Sequence, residues 1–158
     1  MMLKRFSFAC CLTAFAFAVH GADGARGTAS VIDGDTIEIH GERIRLHAID
    51  SPEGRQRCTR GGREWRCGTE AARALDAFIA GATVYCTARD TDRYGRMVAV
   101  CRAHQVDLGE WMVRQGWALA YRQYGRDYVK AEEVARAERV GVWSGEMVPP
   151  WEWRKGVR

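Results

Sequence analysis

Past residue 22 the chain alternates between apolar and polar positions. Residues 28–32, 36–39 and 43–49 carry β-branched side chains in near-alternation, broken by Asp33-Gly34-Asp35 and His40-Gly41-Glu42. Both interruptions are rich in turn formers, so the pattern predicts a three-strand meander. The period then changes. From Thr69, read as an N-cap with Glu70 in the first turn, Ala72, Leu75, Phe78 and Ile79 recur at helical spacing until Gly81 stops the run. Residues 83–88 and 97–102 return to strand character on either side of a polar loop, 90–96. Leu108, Trp111 and Met112 share one face of a short helix that Asp107 can cap and Gly116 closes. A last helix over 127–140 presents Ala131, Val134 and Ala135 inward and stops at Gly141.

Five short strands with about three helices inserted between and after them predict an α+β fold: a small closed β-barrel of the oligonucleotide-binding type, whose faces and loops often meet nucleic acid. At 158 residues the chain has the length of one ordinary domain. No repeat, low-complexity block or linker divides it, so 23–158 is read as one domain ending in a short Pro/Trp-rich tail over 149–153.

Residues 1–22 stand apart. Lys4 and Arg5 precede an uncharged apolar run from Phe6 to Val19, too short to span a bilayer, and small residues follow. This is the layout of a secretory signal peptide, with cleavage after Ala18, Gly21 or Ala22 fitting equally well, and it places the mature chain in the periplasm or outside the cell. The whole chain has 24 basic and 20 acidic residues, net +4. Removing 1–22 takes away Lys4 and Arg5 and no acid, leaving 22 basic against 20 acidic residues. That small excess permits a polyanionic partner without pointing to one. Cys10 and Cys11 leave with the signal, which strands Cys58, Cys67, Cys86 and Cys101 in an oxidising compartment. Of the three pairings open to four cysteines, the sequence favours Cys58 with Cys67, bracketing a polar loop, and Cys86 with Cys101, symmetric about the Arg93-Tyr94-Gly95 turn. Neither pair has the close Cys-x-x-Cys spacing of a zinc site.

The meander also carries more acid than a half-buried strand pair tolerates. Asp33, Asp35, Asp50 and Glu53 crowd a stretch that holds the cation Arg45. Carboxylates packed together repel unless a cation sits among them. Asp33 and Asp35 lie two apart across a glycine, so an extended chain aims both to one side. With Asp50 and a main-chain carbonyl such as that of Ser51 they form an all-oxygen set suited to calcium, with magnesium or manganese as alternatives. Strict alternation from Arg45 to Asp50 puts those two side chains on opposite faces, so a bulge or bend has to intervene if both serve one site. Taken singly, these features also describe an acidic turn, a hairpin flank and a solvated ion pair. His47 reads as a barrel-face residue, and Arg55, Arg57, Arg60, Arg63 and Arg66 as a solvated loop or a phosphate-tracking rim.

Ile32-Asp33-Gly34-Asp35-Thr36, then Arg45 through Glu53, then Asp92-Arg93-Tyr94-Gly95-Arg96 resemble, in order and spacing, the three signature segments of the staphylococcal nuclease (thermonuclease) family. The likeness extends from about residue 28 to residue 143. It implies bound Ca²⁺, with Asp35, Asp50 and the Ser51 carbonyl as direct ligands and Asp33 acting through water; family members usually have threonine where Ser51 stands. It implies Glu53 as general base, Arg45 and Arg96 as stabilisers of the charged phosphorane, and Tyr94 and Tyr121 at the nucleotide pocket. The implied activity is endonucleolytic hydrolysis of DNA and RNA, single strands favoured, with little sequence preference, leaving 3′-phosphate ends, by a secreted or periplasmic monomer. The competing expectation is a barrel of the same fold that binds nucleic acid without cutting it.

Overall fold

In a computed structural model that describes residues 24–158, five strands close into a mixed barrel: β1 (Gly24–Asp33), β2 (Thr36–Ile39), β3 (Glu42–Leu46), and then β7 (Thr83–Thr91) and β8 (Met97–Ala103). Neighbours pair antiparallel in the order β3-β2-β1-β7-β8, and parallel pairing of β3 with β8 completes the circle through Ile44↔Met97 and Leu46↔Ala99. Closure leaves these strands few free edges. The predicted signal peptide, with Cys10 and Cys11, lies outside the described residues.

β1 begins four residues earlier than the sequence pattern indicates. Its first half pairs with β7 and its second half with β2, so one long strand serves two neighbours. The predicted third strand splits: β3 ends at Leu46, Ala48 takes a left-handed backbone (φ 53°), and β4 (Ile49–Asp50) pairs instead with β10 (Leu119–Ala120). The polar loop between Cys58 and Cys67 is a small hairpin, β5 (Cys58–Arg60) with β6 (Arg63–Trp65). A two-residue strand, β9 (Val106–Asp107), ends the barrel sheet.

Ile37, Ile39, Ile44, Leu46, Val84 and Ala99 fill the barrel, and the helix α1 (Cys67–Ile79) covers it with Leu75 and Ile79. α1 starts two residues before Thr69, with no side-chain cap; the Thr69 hydroxyl donates instead to the Gly54 carbonyl at 3.2 Å. α2 (Leu108–Arg114) is capped as the sequence indicates, Asp107 accepting from the N–H groups of Gly109 and Glu110. Both disulfides join the expected partners, Cys58–Cys67 and Cys86–Cys101, the latter across directly opposed strand positions.

The last long helix, α3 (Val129–Glu138), is shorter than expected; Ala131 and Ala135 face inward as predicted, but Val134 does not. Val134 faces solvent while Glu132 is fully buried. Its carboxylate accepts from the Ala120 N–H at 3.1 Å and from Arg122 at 2.7 Å, fixing the strand that leads into Tyr121. Glu132→Ala is therefore expected to lower stability by about 2 kcal/mol in urea denaturation, since it removes bonds to a charged acceptor and orphans a buried N–H. After a 3-10 turn over Gly141–Ser144, a fourth helix, α4 (Pro150–Trp153), closes the described chain.

Candidate active site

Two turns and one loop bring the predicted residues to the mouth of the barrel. The β1–β2 turn carries Asp33 and Asp35, with the Asp35 N–H donating to Asp33 Oδ1 at 3.0 Å. The two acids share a side because the chain turns there, rather than through strand alternation as expected. Gly34 permits the turn to sit against Ser51, just after β4: a Cβ there would lie 2.0 Å from Ser51 Oγ. Ser51 in turn donates its N–H to Asp35 Oδ2 (3.1 Å) and its hydroxyl to the Trp117 carbonyl (2.9 Å), which fixes the Ser51 backbone beside Asp35.

The break at Ala48 resolves the alternation problem. With β4 re-aimed, Arg45 from β3 and Asp50 from β4 meet at 3.1 Å, and the same guanidinium lies 3.4 Å from Asp35. Glu53 follows Pro52 on the loop after β4. Its carbonyl packs against Gly68 of α1, where a Cβ would fall 1.8 Å from the oxygen, and its N–H donates to Gln56 Oε1 at 3.2 Å. On the opposite wall, Asp92 organises the β7–β8 loop: it accepts from the N–H groups of Tyr94 and Arg96 and from the Arg96 guanidinium at 2.7 Å. Slight desolvation is outweighed by these donors, led by the Arg96 N–H, so the Asp92 carboxyl is held below its usual range.

Asp33, Asp35, Arg45, Ser51, Glu53, Tyr94, Arg96 and Tyr121 all border one cavity of about 730 Å³. Asp50 is fully buried beneath its floor. Gln123 and Tyr124 also border the cavity, with Tyr124 edge-on to Tyr121 at 5.1 Å. His47 lies at the rim, 3.4 Å from Asp127. The five arginines of the 55–66 region lie elsewhere; Arg60, for example, packs over Trp65 and donates to the Gly141 carbonyl.

Two participants carry no mark in the sequence pattern. Arg154, just after α4, donates to both oxygens of Asp50 (3.0 and 2.7 Å) and to Glu53 Oε1 (2.6 Å). Gln56 is fully buried and spans from the Glu53 N–H to the Val148 carbonyl, at 2.6 Å, tying the acidic loop to the segment that carries Arg154. The hydrogen bonds and charge of Asp50 and Glu53 raise the Arg154 guanidinium further above its already high value. Burial pushes the Asp50 carboxyl upward against the pull of Arg154 and Arg45.

Four carboxylates, Asp33, Asp35, Asp50 and Glu53, thus face two guanidinium groups, Arg45 and Arg154, while Arg96 is engaged by Asp92. Arg89, Arg93 and Lys155 line the same cavity, with Asp90 and Asp92, so cations and carboxylates are interleaved around it. Burial first, and the neighbouring charge of Asp35 next, push the Asp33 carboxyl up to about 7. The oxygen-only donor set fits a hard cation. Among the described residues, however, no three acidic, imidazole or thiolate groups converge as a ready cage. Asp50 is turned onto its arginines, so a cation that used it would have to exchange with one of them.

Similarity to known proteins covers most of the chain. Residues 43–145 match the family described as Staphylococcal nuclease homologue. An uncharacterized endonuclease of Escherichia coli O157:H7 is 38% identical over 148 residues, covering 89% of this chain and 91% of its own. Micrococcal nuclease of Shigella flexneri is 31% identical, covering 81% and 79%. Succinoglycan biosynthesis protein ExoI of Rhizobium meliloti is 42% identical over 76% of this chain and 65% of its own length. Asp33, Asp35 and Arg154 fall outside the family match, yet the fold joins them to Arg45, Glu53 and Arg96 within it. With the closed barrel, the matched span and nuclease-named relatives along most of its length, this chain belongs to the staphylococcal nuclease family.

Proposed function

We propose that the chain is an exported, calcium-dependent endonuclease that hydrolyses DNA and RNA with little sequence preference and leaves 3′-phosphate ends. The observation that carries this reading is the convergence of Asp35, Glu53, Arg45 and Arg96, from three separate segments, on one cavity wide enough for a phosphodiester and its flanking nucleotides. Asp35, Asp50 and the Ser51 carbonyl would hold the ion, with Asp33 through water, and the ion would supply positive charge to the attacking water and the phosphate. Glu53 takes the proton from that water as its oxygen bonds to phosphorus. Arg45 and Arg96 offer paired N–H donors to the equatorial oxygens, where charge accumulates. The bond from phosphorus to the 5′ oxygen breaks, that oxygen takes up a proton from solvent and leaves as the 5′ hydroxyl, and the phosphate stays on the 3′ side. Tyr94 and Tyr121 present rings and hydroxyls to the nucleotides, and unpaired strands offer their bases for stacking more readily than duplexes do.

Export is supported by residues 1–22 and by two disulfides, which persist in oxidising compartments. No helix among the described residues is long and apolar enough to cross a membrane. The chain is read as a monomer.

A fluorescent single-stranded DNA incubated with the protein and calcium tests the function. Shortening of the probe that stops on chelation is expected. Tight, salt-sensitive binding of an intact probe would mark a non-catalytic barrel instead, and neither binding nor cutting would leave a purely structural role.

A further inference from the structure

The C-terminal segment is too firmly held to be a loose tail. Pro150 is buried, and the Trp151 ring stacks on Tyr121 with centroids 5.4 Å apart and planes inclined by 15°. The Val148 carbonyl accepts from the buried amide of Gln56. This anchorage brings Trp151, Arg154 and Lys155 to the cavity, and of these the Arg154 guanidinium, whose side chain keeps 39% of its surface exposed, bonds to the acids of the site. Arg154 supplies the only bond to Asp50 Oδ2 among the described residues and shares Oδ1 with Arg45. Its third contact ties up Glu53 Oε1.

We infer that Arg154 is a resident counter-cation: it holds Asp50 and Glu53 together in the ion-free site, and a divalent cation binds by displacing it from Asp50. This rests on the calcium-dependent reading above and adds to it a coupling between ion binding and release of the base. While Arg154 bridges the two acids, Glu53 Oε1 is engaged and Asp50 already accepts three N–H bonds, two of them from Arg154. Once the ion takes Asp50, the bridge loses its bidentate half, and Glu53 is left with a single contact to a half-exposed group. Two cations that compete for one carboxylate are linked, so weakening either strengthens the other. Arg154 is a positioning residue in this scheme.

Calorimetric titration of calcium alone into the cation-free protein tests the exchange, with R154Q and R154K beside the unaltered chain. Arg154→Gln is expected to bind calcium about ten-fold more tightly, within the range usual for coupled sites. Arg154→Lys keeps the charge but cannot grip both oxygens, so it should fall between the two. Its affinity supplies the test if the glutamine variant fails to fold, a point that circular dichroism settles. Unchanged or weaker calcium affinity in the variants would sink the exchange while leaving the calcium-dependent nuclease intact. Absence of calcium binding in every protein, the unaltered chain included, would overturn the calcium reading and this inference with it.

Discussion

Replacing Glu53 by glutamine is expected to slow calcium-supported hydrolysis of single-stranded DNA by about 10²–10⁴-fold, the usual contribution of a positioned general base. The substitution is close to isosteric. Its amide oxygen can still accept from Arg154, and neither the backbone N–H bond to Gln56 nor the close contact of its carbonyl with Gly68 involves the side chain. The fold and the affinity for nucleic acid should therefore persist. What disappears is a carboxylate able to receive a proton, so kcat should fall while KM changes little. Initial rates on a labelled oligonucleotide, with the melting temperature as a check on folding, read the outcome. Cleavage continuing near the unaltered rate would remove Glu53 from the chemistry and return it to the role of an ion-pair partner for Arg154.

The barrel was legible because its strands and covering helix impose simple periods. Ile37, Ile39, Ile44 and Leu46 alternate into the core, and Leu75 and Ile79 recur one helical turn apart. Legibility ended where a residue's place depends on a distant partner or on one backbone dihedral. Ala48 has a left-handed backbone that costs a non-glycine residue energy and has no compositional signature. That one residue turns Asp50 from the wrong face to the same site as Arg45. On α3, Ala131 and Ala135 face inward as the spacing predicts, but the Ala120 N–H and Arg122 engage Glu132, which is buried while Val134 faces solvent. Gln56 is a single amide in an arginine-rich stretch, and Arg154 lies 104 residues from the Asp50 it grips. Hydrophobic patterning carries no information about such pairs, because it reports which face is buried and not which polar groups meet.

Arg45→Lys separates charge from geometry at the centre of the site, and is expected to lower kcat by about 10²–10³-fold, as loss of one preorganised donor to a developing anion does. Arg45 stands 3.1 Å from Asp50, 3.4 Å from Asp35 and 3.5 Å from the Ile49 carbonyl, so one planar group faces two acids and a main-chain oxygen. A lysine ammonium restores the charge between Asp35 and Asp50. The melting temperature should consequently stay near that of the unaltered protein. It cannot present two parallel N–H donors to two phosphate oxygens, which is the property the transition state requires. Arg45→Ala should lose both functions: the rate falls at least as far, and stability drops by about 1–3 kcal/mol because the nearly inaccessible Asp35 loses its paired cation while Asp50 keeps Arg154. Initial rates and urea denaturation on the pair of variants distinguish these effects. A lysine variant with unaltered kcat would show that a point charge suffices there, and the paired-donor role would then rest on Arg96 alone.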